Sequence, residues 1–325
     1  MRFKISALLL AAALFMMSGC SKSSAAARKT TSQPDKINVL STIAMIDDLV
    51  GAIGGIRVEN HCLISGEIDP HSYELVKGDD EKIADAQIVF YNGLNLEHGA
   101  SLSLKIQKHP KSIAVGNYVL YNHPELILKK DHIVDPHIWM DISTWLHIIQ
   151  PITEALIEVD PGGITYYQER AQALRQEMIQ THEYVLNLMQ AIPEEKRYLV
   201  TSHDAFGYFA RSYLSTAGEI ENGSWTKRFA APEGLAPDVQ LSVQDIQGII
   251  DHLVKYKISV VFAESNVSQD SLKKIISSSK EKKHIVKFSE KVLYGDAMGS
   301  YDEPVSSYLD MIKKNALSLS KEWQK

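Results

Sequence analysis

Residues 164 to about 189 run without a proline or glycine, and Tyr167, Leu174, Met178, Val185 and Leu188 recur there at near-helical spacing. About 25 residues rising 1.5 Å each make a rod of nearly 40 Å, long enough to cross a whole lobe. Asp160-Pro161-Gly162-Gly163 breaks the chain just before this stretch, and Pro193 follows it. On either side, short apolar runs alternate with helical patterns. Residues 37–43, 58–64, 87–91 and 112–115 read as strands, and 44–53, 81–86 and 96–108 as helices. A further helical stretch, 142–159, is expected to be interrupted near Pro151. Beyond the rod the alternation resumes, with strands expected at 197–201, 258–263 and 284–288. Helices are expected there at 205–214, 243–255, 270–279 and 301–319. Strands alternating with helices imply a parallel sheet covered on both faces. The two halves share one plan, so the expected fold is α/β. Two similar parallel-sheet lobes, 35–160 and 192–325, would be joined by one long bridging helix at 161–191.

The amino terminus stands apart from this pattern. Arg2 and Lys4 precede an apolar run from 5 to 17, broken only by Ser6 and too short to span a bilayer comfortably. It ends at Met17-Ser18-Gly19-Cys20, so residues 1–19 have the shape of a secretory signal peptide. Ser-Gly-Cys resembles a bacterial lipobox, in which Cys20 becomes the lipid-modified first residue. Residues 20–34 are rich in Ser, Ala, Thr, Lys and Arg and read as a flexible tether. The chain is thus expected to be exported and held to a membrane by a lipid. Cys62 is the only other cysteine. With Cys20 acylated no intrachain disulfide can form, and the core must stabilise the fold alone. The formal net charge is −6 with no basic cluster, which argues against nucleic acid as a partner.

Four short segments between the helices carry the chemistry. They are Asp69-Pro70-His71, Asp135-Pro136-His137, Ser202-His203-Asp204 and Gly295-Asp296. The three histidines lie about 66 residues apart, and each segment follows or adjoins an apolar run. Imidazole nitrogen and carboxylate oxygen are the usual ligands of a borderline divalent metal. In open α/β sheets, ligands bind beyond the carboxyl ends of the strands. Two lobes facing across a cleft would bring His71 and His137 from one side and His203 and Asp296 from the other. Pro70 and Pro136, with φ fixed, limit the wandering of the histidines that follow.

These segments reach a resemblance. DPHSYEL at 69–75, DPHIWMD at 135–141, TSHDAFGYF at 201–209, VVFAESNVS at 260–268 and LYGDAMG at 293–299 are similar to the metal-binding, solute-binding lipoproteins of bacterial ABC importers. That class, cluster A-I, takes up zinc, manganese or iron, and the resemblance covers essentially the whole mature chain. It implies that His71, His137, His203 and Asp296 are the metal ligands. A histidine at the third position matches the treponemal-type subgroup with three histidines and one aspartate. Zinc-type members often carry a long His-rich loop before the second histidine. Here only His123 and His132 stand there, so such a loop is absent or vestigial.

The resemblance further implies a binding protein rather than an enzyme. One divalent ion would be its transported ligand, and its partners an ABC permease with a cytoplasmic ATPase. It would act as a monomer outside the cytoplasmic membrane. Asp141, Asp204 and Glu264 are candidates to hold the outer nitrogen of a ligating imidazole. Trp139, Phe206 and Tyr208 read as core or cleft wall. Two rival readings remain at this stage. A zinc-dependent metallohydrolase would use Glu264 or Asp204 as general base, although His-Glu-x-x-His is missing. A surface adhesin lipoprotein would hold a metal incidentally.

Overall fold

The structure, a computed structural model, describes residues 36–236, 241–299 and 305–325. The signal sequence, Cys20 and the tether lie outside the described residues. So do the first residues of the expected 301–319 helix.

The first half is built on a four-stranded parallel sheet in the order β2-β1-β3-β4. Its strands are β1 (Ile37–Ile43), β2 (Val58–Ile64), β3 (Ile88–Tyr91) and β4 (Ser112–Ala114). The sequence INVLSTI is rich in apolar and β-branched residues, and all but Asn38 are buried, as suits a strand covered on both faces. It takes the interior place, with Val39 opposite both Asn60 of β2 and Ile88 of β3. Then comes a hairpin of β5 (Lys129–Lys130) and β6 (Ile133–Val134). Asp131 and His132 form its turn with φ of 50° and 68°. Positive φ at both central residues is the type I′ geometry that matches strand twist. His132 thus sits in a two-residue turn.

The second half holds two parallel pairs among the described residues. β7 (Leu199–Val200) pairs with β8 (Phe229–Ala230), and β9 (Val260–Glu264) with β10 (Lys287–Leu293). β10 starts three residues later than the apolar pattern suggests and runs on to Leu293. A register shift between Phe288 and Val292 accommodates its charged stretch. The expected helix at 205–214 becomes a short α-turn, Gly207–Phe209, followed by a π segment, Ala210–Leu214. Pro151 does not interrupt its helix. It lies in the first turn of Ile149–Val159, where its missing N–H has no partner to lose, and a 3-10 turn at Leu146–Ile148 makes the break.

The long helix spans Ile164–Gln190, 27 residues. Tyr167, Ala171, Leu174, Met178, Thr181, Val185 and Met189 are buried along it in steps of three or four. They pack on Ala44–Gly54 and Ile149–Val159 from the first half and on the carboxyl-terminal helix Tyr308–Trp323 from the second. That last helix also reaches across. The Tyr308 N–H donates to Asp48 Oδ2 at 2.9 Å, and its hydroxyl donates to the Trp139 carbonyl at 2.7 Å. One apolar core therefore runs from Ile37 to Trp323, and Asp35–Lys325 form one compact unit.

Candidate metal centre

Each converging side chain leaves the carboxyl end of a strand or a loop next to one. His71 follows β2, His203 follows β7, and Asp296 follows β10. His137 starts a 3-10 turn, Ile138–Met140, just after β6. All four are at least 97 % buried. Their ligand atoms lie within 4.8 Å of one another, and no other group of three or more His, Cys, Asp or Glu converges so among the described residues.

Four of the donor spacings are close to the edges of a tetrahedral coordination shell. His71 Nε2 lies 3.2 Å from His137 Nε2 and 3.4 Å from Asp296 Oδ2. His137 Nε2 lies 3.3 Å from Asp296 Oδ1, and His203 Nε2 lies 3.0 Å from Asp296 Oδ2. A tetrahedron with metal–ligand bonds of about 2.05 Å has edges of about 3.3 Å. Neither Asp296 oxygen receives an aligned hydrogen bond, an expensive state for a fully buried carboxylate unless a cation compensates it.

Two rings are turned inward by carboxylates behind them. Asp135 Oδ1 lies 2.7 Å from His137 Nδ1 and accepts the His137 backbone N–H at 2.9 Å. Glu264, the last residue of β9, places Oε2 2.6 Å from His203 Nδ1. Its Oε1 accepts the backbone N–H groups of Ser202 and His203, each at 2.9 Å. A carboxylate only accepts, so the hydrogen-bonded His137 Nδ1 holds the proton and its Nε2 lone pair faces the centre. Asp69 Oδ1 accepts the His71 N–H at 2.9 Å, the same Asp-to-second-residue turn that Asp135 makes. Asp-Pro-His is therefore one local device used twice: the aspartate closes the turn that aims the histidine.

Electrostatics follow from this crowding. Burial alone would push Asp296 up, but the His203 and His137 imidazoles hold it well below the usual carboxylate range. Burial alone would lower His203 and His137. Asp296 with Glu264 raises the first well above the ordinary imidazole value, and Asp296 with Asp135 raises the second. Burial dominates at His71 and lowers it, against a smaller pull from Asp296.

Of the three candidates for holding an outer nitrogen, Glu264 stands behind a ring and the other two do not. Asp141 caps the helix Ile142–Trp145, accepting from Ser143 N–H at 2.9 Å and from the Thr144 hydroxyl at 2.8 Å. Asp204 pairs with the Lys130 ammonium across the cleft mouth. Each is drawn to a nearer partner. Asp135 was missed because Asp-Pro-His reads first as a turn, yet the same tripeptide at two histidines was a usable signal. Phe206, Tyr208 and Trp139 are buried, as expected of core. Tyr208 also donates to the Asp135 carbonyl at 3.0 Å, and the Trp139 indole N–H donates to the Gly295 carbonyl at 2.9 Å.

Comparison with known proteins places the chain among metal-binding proteins of similar fold. The family model described as zinc-uptake complex component A, periplasmic, matches residues 39–322. The chain is 40 % identical over 284 residues to the metal-binding protein YtgA of Chlamydia pneumoniae, covering 87 % of this chain and 85 % of that one. It is 30 % identical over 311 residues to the manganese-binding lipoprotein MntA of Bacillus subtilis, covering 95 % of each. Among solved structures, Fe(III)-bound YtgA from Chlamydia trachomatis superposes with a TM-score of 0.83 at 37 % identity, over 89 % of this chain and 98 % of that one.

Proposed function

The chain belongs to the periplasmic zinc-uptake component A family, and from that premise we propose that His71, His137, His203 and Asp296 hold one divalent zinc, manganese or iron ion as cargo. The protein is a solute-binding component of a metal importer, not an enzyme. It passes the ion to an ABC permease driven by a cytoplasmic ATPase. The observation that carries the ligand assignment is the convergence of four buried donor residues, whose ligand atoms lie within 4.8 Å of one another. A hydrolytic zinc keeps three protein ligands and an open position for water, whereas four protein donors converge here.

Divalent affinity rises along the Irving–Williams order, so zinc binds more tightly than manganese or ferrous iron in this donor set. Which of them is carried depends on supply as well. Residues 35–160 and 192–325 act as the two lobes, with 161–191 as the bridge. The long helix packing along elements of both halves supports that division. Lipidation of Cys20 holds the protein at a membrane, a reading supported by the Met17-Ser18-Gly19-Cys20 motif and by the lipoprotein among its relatives. No helix among the described residues is long and apolar enough to cross a membrane.

Metal content by inductively coupled plasma mass spectrometry and competition titration test the assignment. The proteins are the wild type and the His71→Ala, His137→Ala, His203→Ala and Asp296→Ala variants. About one ion per wild-type chain is expected, as four donors fill one tetrahedral shell, with each substitution weakening binding while circular dichroism stays the same. No bound metal, or four silent substitutions, would sink the reading.

A further inference from the structure

His137, His203 and Asp296 are sealed inside the protein. Of the four cage residues, His71 borders a described cavity, about 330 Å³ in volume. Much of its wall is apolar, with Leu94, Ile133 and Leu235. A divalent cation moving along such a wall sheds water with little to replace it. One side chain there can take a metal. The His98 ring is exposed at the mouth, its centroid 5.7 Å from that of His71. His98 Nδ1 lies 3.3 Å from the Asn95 carbonyl oxygen. A carbonyl only accepts, so Nδ1 carries the proton and Nε2 keeps its lone pair. One nitrogen tied and the other free is the state a ligating imidazole needs.

The loop that presents His98 is held firmly. Leu94 and Asn95 sit at φ of 53° and 65°, uncommon for residues other than glycine. Three anchors maintain that turn. The Leu94 N–H donates to Asn117 Oδ1 at 2.8 Å. Buried Glu97 accepts the Asn92 and Gly93 N–H groups at 2.7 and 3.0 Å. Charge at the mouth also suits a cation, because Asp131 lines the cavity while the Lys130 ammonium is engaged by Asp204.

We propose that His98 Nε2 is a gateway ligand, which coordinates the incoming divalent ion in exchange for a water and passes it to His71. The proposal rests on the cage being the metal site. A group that stabilises the passing ion lowers one barrier in both directions. Its loss therefore slows binding and release by the same factor.

Stopped-flow mixing of the purified chain with zinc alone, in competition with a chromophoric zinc indicator in a non-coordinating buffer, tests it. His98→Ala is expected to slow zinc association about tenfold, and chelator-driven release equally, the signature of a barrier raised by one decade. His98→Asp, which restores a ligand atom, is expected to recover part of both rates. An association rate equal to wild type in His98→Ala overturns the proposal. So does weakened affinity with the association rate kept, the result of a mere structural prop for His71. Wild type that binds no zinc, with His71→Ala silent, overturns the cage reading and this inference together.

Discussion

Glu264 divides its two oxygens between backbone and ring. Oε1 anchors the Ser202 and His203 N–H groups, and Oε2 faces His203 Nδ1. Glu264→Gln keeps an oxygen for the backbone and removes the charge behind the imidazole. Metal affinity is expected to fall about 10- to 100-fold with the melting temperature little changed, since partners behind a ligating ring act at that scale. Chelator competition read beside a thermal melt checks this, and equal affinity would show that ring orientation does not depend on the charge. At this scale the sequence was readable for the groups that converge, because three histidines and an aspartate stand in short loops beside apolar runs. It was not readable for Asp135 against Asp141 and Asp204. Which carboxylate ends behind a ring depends on ångström distances between loops, and spacing along the chain does not contain them.

Elements set those distances, and two contacts between elements can be tested directly. The loop leaving β10 approaches the end of β9 so closely that a Cβ at Gly295 would lie 2.5 Å from Glu264 Oε2 and 3.3 Å from His203 Cε1. Glu264 is pinned by two backbone donors and cannot swing aside. Gly295→Ala is expected to cost more in metal affinity, by titration, than in melting temperature. Equal losses would mean that the loop, not Glu264, gives way. The second contact is the knot around Arg228, which is fully buried. Its guanidinium bonds Glu219, the Glu194 carbonyl and Glu194 Oε1, tying the capped helix Ala217–Glu221 to the turn after the long helix. Burial alone would push Glu219 up, but Arg228, Lys227 and the Thr216 N–H hold it down at about 2. The shift is downward, so its stabilisation is complete above about pH 4.5 and lost as pH falls towards 2. Glu219→Gln is expected to flatten acid unfolding across that window. A variant curve as steep as wild type would remove Glu219 from the account. Most of the longer elements were legible from local pattern, whereas the hairpin of β5 and β6, the short strand β8, the π segment after Phe209 and the late start of β10 follow from packing that no local pattern carries.

Across the whole molecule, the two halves share one core along the long helix, and Trp139 ties their site loops. Its indole reaches the carbonyl of Gly295, next to Asp296, while its ring lies edge-on to His137 with centroids 5.3 Å apart. Trp139→Phe leaves that buried carbonyl unpaired, at a cost of about 1–3 kcal/mol. A lower melting temperature and faster metal release are expected. Both proteins should melt in one transition, because the largest apolar cluster spans both halves and the long helix, which outweighs the smaller cluster inside each half. Two separate transitions in differential scanning calorimetry would contradict the shared core.

Local information was enough for much of this protein. Short apolar runs alternating with period-3.6 stretches marked an α/β chain around one long helix. Polar ligand types in loops beyond apolar runs marked the residues that meet, because side-chain chemistry and backbone propensity belong to each segment by itself. The tertiary structure alone decided that the carboxyl-terminal helix packs on both halves and that Asp135 and Glu264 stand behind the rings. It also decided that His71, among the four, faces a cavity. These are relations between segments up to 260 residues apart, such as Asp48 and Tyr308, and close packing fixes them only when the whole chain has condensed.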